Sequence, residues 1–125
     1  MKLVWIESAE ENAALVVAVA ALDVSSDQEE LLTQIGASDE DDEDEWRWIG
    51  NGASLDGFQF WEGTTADDDG EPVDGSFANW SVTEPNDQNG EDCGVISILG
   101  SENRDPGQWD DRTCDLAIPY LCEQP

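Results

Sequence analysis

Glu84-Pro85-Asn86, Glu91-Asp92-Cys93 and Trp109-Asp110-Asp111-Arg112-Thr113-Cys114 decide the reading of this chain. They set five oxygen-bearing side chains, Glu84, Asn86, Glu91, Asp110 and Asp111, around one proline and two cysteines. Calcium takes about six to eight hard oxygen ligands at about 2.3–2.6 Å, from carboxylates, amide carbonyls and water. The five residues are of that type. If Cys93 and Cys114 are bridged, the segments carrying them are held together, because a disulfide keeps its Cα atoms about 4.4–6.8 Å apart.

Outward from this stretch, the charge is the next constraint. Four Lys plus Arg stand against 31 Asp plus Glu, a net charge of −27. Nucleic acid and anionic membranes are poor partners for such a surface, since phosphate binding needs Lys and Arg. Most of the acids are expected to be solvated, and some to hold metal. There is no histidine, which excludes Ser-His-Asp and Cys-His catalysis and a His-ligated zinc. A glycosidase-type carboxylate pair is the enzymatic route that remains. With 31 acids such pairs arise by coincidence, and no enzyme is expected.

A chain of 125 residues suits a single domain, 1–125, with one modest core to which six tryptophans contribute heavily. Ser8 with Glu11 three residues on predicts a helix start, and Ala13, Ala14, Val16 and Val17 continue it. Leu15–Leu22 is β-branched enough for its second half to be a strand. The apolar segment Ala13–Val24 is too short for a bilayer, which takes about 20 residues. As a signal peptide it is poor, because Glu7, Glu10 and Glu11 precede it. No membrane insertion is expected, and the export signal is expected elsewhere, in a longer precursor or protein. Ser26-Asp27-Gln28-Glu29 reads as a capping box for a second short helix that buries Leu31, Leu32 and Ile35 and ends at Gly36. Seven consecutive acids, Asp39 to Glu45, predict a solvated loop. Trp46–Ile49, Phe58–Trp61, Gly94–Leu99, Gln108–Asp111 and Pro119–Cys122 read as short strands. Thr64–Ser76 reads as a polar loop. Helices followed by short strands suggest α+β.

Four motifs, Trp48-Ile49-Gly50, Glu84-Pro85-Asn86, Glu91-Asp92-Cys93 and Trp109-Asp110-Asp111…Cys114, run in order over about 75 residues and close on Tyr120-Leu121-Cys122-Glu123. At these residues the chain resembles the C-type lectin family. The resemblance implies a C-type lectin-like fold: two helices, short antiparallel strands and a long calcium-binding loop region. Asp110 stands where the family usually has Asn. Cys93 and Cys114 are then expected to pair, which points to an oxidising compartment and a secreted or cell-surface protein. Cys122 is left over. The cysteine that bonds its counterpart in many relatives falls near Asn12 or Ala13. Cys122 is expected to be buried as a small hydrophobe. Only Met1–Val4 precede Trp5, so the last strand is expected to have an unprotected edge, a route to a dimer or protein partner.

By the same resemblance, Glu84, Asn86, Glu91, Asp110 and Asp111 hold one Ca2+, and Glu84, Asn86, Glu91 and Asp110 bind two vicinal hydroxyls of a sugar. Pro85 is expected to be cis. Glu-Pro-Asn implies mannose, glucose, N-acetylglucosamine or fucose. A hydroxyl has two lone pairs and one hydrogen, so beyond the metal it needs one acceptor and one donor. An ionised Asp110 accepts and cannot donate, so one hydroxyl loses a partner. Asp87, Glu91 and Asp92, with Asp56 after a one-residue gap, match a second metal site found in some relatives. The alternative reading is a calcium-stapled protein-interaction or adhesin module without sugar affinity.

Overall fold

The computed structural model describes residues 2–22, 31–49, 57–86 and 90–123. Its elements in chain order are β1 (Lys2–Leu3), α1 (Ala9–Ala20), β2 (Leu32–Ser38), β3 (Glu45–Trp48), β4 (Gln59–Glu62), β5 (Glu71–Pro72), β6 (Cys93–Ser97), β7 (Trp109–Arg112) and β8 (Cys122–Glu123). Six strands form an antiparallel sheet in the order β5-β4-β3-β2-β6-β7, and β1 pairs with β8 in a separate ribbon. The class is α+β, with one helix among the described residues.

The helix starts where the sequence predicts. Ser8 Oγ accepts from the Glu11 amide at 3.1 Å, and Glu11 reaches back to the Glu7 amide at 2.8 Å. These bonds occupy donors that a helix N-terminus leaves unsatisfied. The helix runs on to Ala20, so the second half of Leu15–Leu22 is helical and not a strand. Its anchor is polar: buried Asn12 accepts from the Trp109 indole at 2.8 Å and donates to the Gly107 carbonyl at 3.0 Å. That pair of bonds fastens α1 to the start of β7.

The expected second helix does not extend into Leu31–Ile35. Leu32 and Ile35 lie in β2, and residues 26–30 fall outside the described residues. The reason is position. β2 is central, pairing β3 on one side and β6 on the other, and nearly all of its residues are buried. A strand buried on both faces shows no period-two pattern, and Leu31, Leu32 and Ile35 then mimic helical spacing.

The tryptophans form the core. Trp46, Trp48, Trp61 and Trp109 are buried with Phe60, Ile6, Ile35, Ile96 and Ile98. Trp48 stacks on Phe60 at 4.4 Å between centroids, and Trp109 meets Trp48 and Phe60 edge-on at 5.9 and 6.0 Å. β1 and β8 close on each other and on the sheet. Lys2 pairs with Glu123 and Leu3 with Cys122, and the Gly36 amide bonds the Val4 carbonyl at 2.8 Å, tying this ribbon to β2. The last strand is therefore paired, contrary to the unprotected edge expected from so short an N-terminus. Beyond its two register pairs the ribbon is held by the Val4 amide on the Leu121 carbonyl at 2.9 Å and the Leu121 amide on the Gln34 carbonyl at 3.0 Å. Cys122 is exposed rather than buried.

Candidate metal centre

The Glu84 loop is seated on β7 by backbone bonds. The Ser81 amide donates to the Trp109 carbonyl at 2.9 Å, and Trp80 and Trp109 form a parallel bridge. The Glu84 amide returns to the Ser81 carbonyl at 2.9 Å. The Glu84-Pro85 peptide is cis, as the resemblance implies. The Asn86 amide donates to Asp111 Oδ1 at 3.2 Å, which clasps the far side of the loop to β7. The Cys93–Cys114 disulfide is present, with Cα atoms 5.0 Å apart, and joins the start of β6 to the segment after β7.

This arrangement brings together the carboxylates of Glu84, Asp110 and Asp111, with one oxygen from each lying within 4.8 Å of the others. All three are buried, at 8%, 2% and 0% exposure. Glu84 Oε1 is buried with no hydrogen-bond donor. Burial, then the neighbouring charges of Asp110 and Asp111, push the Glu84 carboxyl up to about 8. Asn86 is exposed beside this group, and half-buried Glu91 lies on its Arg112 side.

Asp110 has its own environment. Its Oδ1 accepts from the Asp111 amide at 2.8 Å. Its Oδ2 meets two guanidinium groups, Arg112 Nη2 at 2.7 Å and Arg104 Nη1 at 2.9 Å. Arg112 Nη1 also stands 4.0 Å from Glu91 Oε2. Neither arginine was singled out from the sequence. The available signal was scarcity, since two of the four basic residues flank Asp110.

A second acidic group lies at the β2–β3 turn. Oxygens of Asp39, Glu43 and Asp92 lie within 4.8 Å of one another. The Asp39 amide bonds the Asp92 carbonyl at 3.1 Å, extending the β2–β6 pairing past Ser38 and Cys93. Asp39 Oδ1 and Asp92 Oδ1 are both buried without a donor. Burial, followed by the Asp92 and Glu43 carboxylates, raises Asp39 to about 8, against the lowering effect of the Asp44 amide. Asp39–Glu45 is thus not a uniformly solvated loop. Its first acid is buried at 2% exposure. Of the residues expected at a second site, Asp92 is here, Glu91 is near Arg112, and Asp56 and Asp87 lie outside the described residues. Asp39 and Glu43 were missed because a run of like charges hides which member folds inward.

Both groups suit a hard cation. They offer oxygen donors only, one carboxyl in each is raised to about 8 by burial and its acidic neighbours, and each contains a buried oxygen with no donor. A divalent ion would relieve that repulsion and supply the missing partner.

The Lectin C-type domain model matches residues 2–124. The chain is 35% identical over 79 residues to Lectin BRA-3 of Megabalanus rosa, covering 62% of this chain and 41% of that protein. It is 38% identical over 89 residues to Halomucin of Haloquadratum walsbyi, covering 71% of this chain and 1% of that protein. It spans well under two-thirds of the length of these relatives. Among solved structures, the mouse scavenger receptor C-type lectin carbohydrate-recognition domain superposes with a TM-score of 0.57 at 24% identity, over 98% of this chain and 72% of that one. That likeness concerns the fold, an α+β C-type lectin-like architecture. With the family match spanning nearly every residue, the chain belongs to the C-type lectin domain family.

Proposed function

We propose that this domain binds carbohydrate through calcium held by Glu84, Asn86, Glu91, Asp110 and Asp111. The observation that carries the reading is the buried Glu84–Asp110–Asp111 carboxylate group with its donorless Glu84 oxygen. When bound, calcium supplies a Lewis-acidic centre for two vicinal hydroxyls. The protein contributes the acceptors and donors around them. Glu84 accepts a hydroxyl hydrogen and the side-chain amide of the exposed Asn86 donates to the same oxygen. Glu91 and Asp110 face the second hydroxyl. The Glu-Pro-Asn sequence favours mannose, glucose, N-acetylglucosamine or fucose as the ligand. A second calcium at Asp39, Glu43 and Asp92 staples the β2–β3 turn to the segment entering β6. The disulfide and the family support a secreted or cell-surface location, and no helix among the described residues is long and apolar enough to cross a membrane.

Calorimetry tests this in two steps on one preparation: calcium first, then mannose at saturating calcium. Heat from both, and loss of the Glu84-site calcium and of mannose binding in Glu84→Gln, is the expected result. One observation favours a second reading. Both Asp110 oxygens are already engaged, by a backbone amide and by two arginines, as a closed structural site would be. Calcium binding with no monosaccharide binding at all would make the domain a calcium-stapled interaction module.

A further inference from the structure

The sugar-facing side of the proposed site is short of donors where Asp110 stands. Glu84, Glu91, Asp110 and Asp111 offer only acceptors when ionised, and Asn86 serves one hydroxyl. The second hydroxyl needs an N–H. We infer that Arg112 supplies it, so that Asp110 and Arg112 together do the work of one side-chain amide and set the domain's specificity for a neutral diol. This rests on the sugar-binding reading above.

The geometry carries it. Asp110 and Arg112 are two residues apart on β7, so their side chains project from the same face. Arg112 Nη2 touches Asp110 Oδ2 at 2.7 Å, and Nη1 lies 4.0 Å from Glu91 Oε2. The guanidinium therefore bridges the two acceptors assigned to the second hydroxyl. Its planar fork has five N–H groups in fixed directions, more than these two contacts use. Its side chain is 30% exposed, whereas the Asp110 side chain is 3% exposed, so Arg112 is the accessible member of the pair. Arg104 meets the same Asp110 oxygen at 2.9 Å but is only 12% exposed. It acts as the buried counter-charge, and Arg112 as the group a ligand meets.

The test is mannose calorimetry at saturating calcium on the wild type, Arg112→Met and Arg112→Lys, with calcium affinity measured on each. Arg112→Met keeps the chain length and removes every donor. It should weaken mannose binding about tenfold, the scale of one lost hydrogen bond near charge, while calcium binds at least as tightly. Arg112→Lys, which keeps the charge and a donor but not the fork, should recover only part of the loss. A side-chain readout stands apart from affinity: in wild-type protein with calcium, the Arg112 guanidinium N–H resonances should shift on mannose titration. Mannose binding by Arg112→Met equal to or tighter than wild type, or unshifted Arg112 resonances at saturating mannose, overturns the role of Arg112 and leaves the sugar site standing. Absence of mannose binding in the calcium-loaded wild type overturns the sugar reading itself.

Discussion

At the scale of single residues, two carboxyls carry the pH behaviour. Glu84 and Asp39 are each raised to about 8, first by burial and then by neighbouring carboxylates. An unfolded chain would ionise them near ordinary carboxyl values, so between about 4.5 and 8 the folded state holds more protons. Their contribution to stability is therefore fully present below the unfolded values and is lost as pH rises through about 8. The metal-free protein should melt at higher temperature at pH 5 than at pH 8.5, and Glu84→Gln should flatten that slope. Calcium affinity should run the other way, rising from pH 6 to pH 8, because the ion displaces protons from the same oxygens. Calcium titrations at the two pH values check this, and a pH-independent affinity would count against these ligands. Asp110 is the anion that Arg104 and Arg112 share. Asp110→Asn leaves two guanidiniums without their shared anion. It should destabilise the fold by less than the roughly 3 kcal/mol of a fully buried pair, because Arg112 is partly solvated and also faces Glu91, and because Glu84 loses a repelling neighbour. Urea unfolding of the metal-free variant measures that loss.

At the scale of elements, the junction between α1 and β7 positions the site. Asn12 satisfies the Trp109 indole and the Gly107 carbonyl, and the next two residues of β7 are Asp110 and Asp111. Asn12→Ala strands a buried indole N–H, which costs about 1–3 kcal/mol. It should also weaken calcium binding by loosening β7. Chemical denaturation and calorimetry check the two effects separately. The same junction shows what sequence could and could not reveal. The motifs around Glu84, Glu91 and Trp109 were legible because their oxygen donors lie at short fixed spacings, and the α1 start is a local signal of the same kind, whereas the Cys93–Cys114 pairing, 21 residues apart, was implied by the resemblance. β2 was not legible, since burial on both faces erases the alternation by which a strand is read. Asn12 was noted only as lying where relatives have a cysteine, yet it holds α1 by hydrogen bonds while Cys122 stays exposed. Which acid of Asp39–Glu45 turns inward depends on its pairing with Asp92, a contact 53 residues away by number that no local pattern encodes.

At the scale of the molecule, the net charge of −27 sets two cation responses that must be separated. The first is general. Self-repulsion among surface carboxylates destabilises the compact state, and salt relieves it as the Debye length falls from about 10 Å at 0.1 M to about 3 Å at 1 M. Sodium chloride should therefore raise the melting temperature of wild type and of site variants alike. The second is local. Glu84–Asp110–Asp111 and Asp39–Glu43–Asp92 are compact oxygen groups that a bound ion stabilises by mass action. At 1 M salt, where general screening is nearly spent, calcium should still raise the melting temperature. Magnesium should do so far less, because it demands a tighter octahedral shell and gives up its waters reluctantly. At 100 times the dissociation constant one site adds about 2.7 kcal/mol, a shift of several degrees for a domain of this size. The double variant Glu84→Gln, Asp39→Asn should lose the calcium increment and keep the salt increment. Equal increments from calcium and magnesium in high salt, surviving in that variant, would mean that both ions act only as screening charge and that neither carboxylate group is a built site.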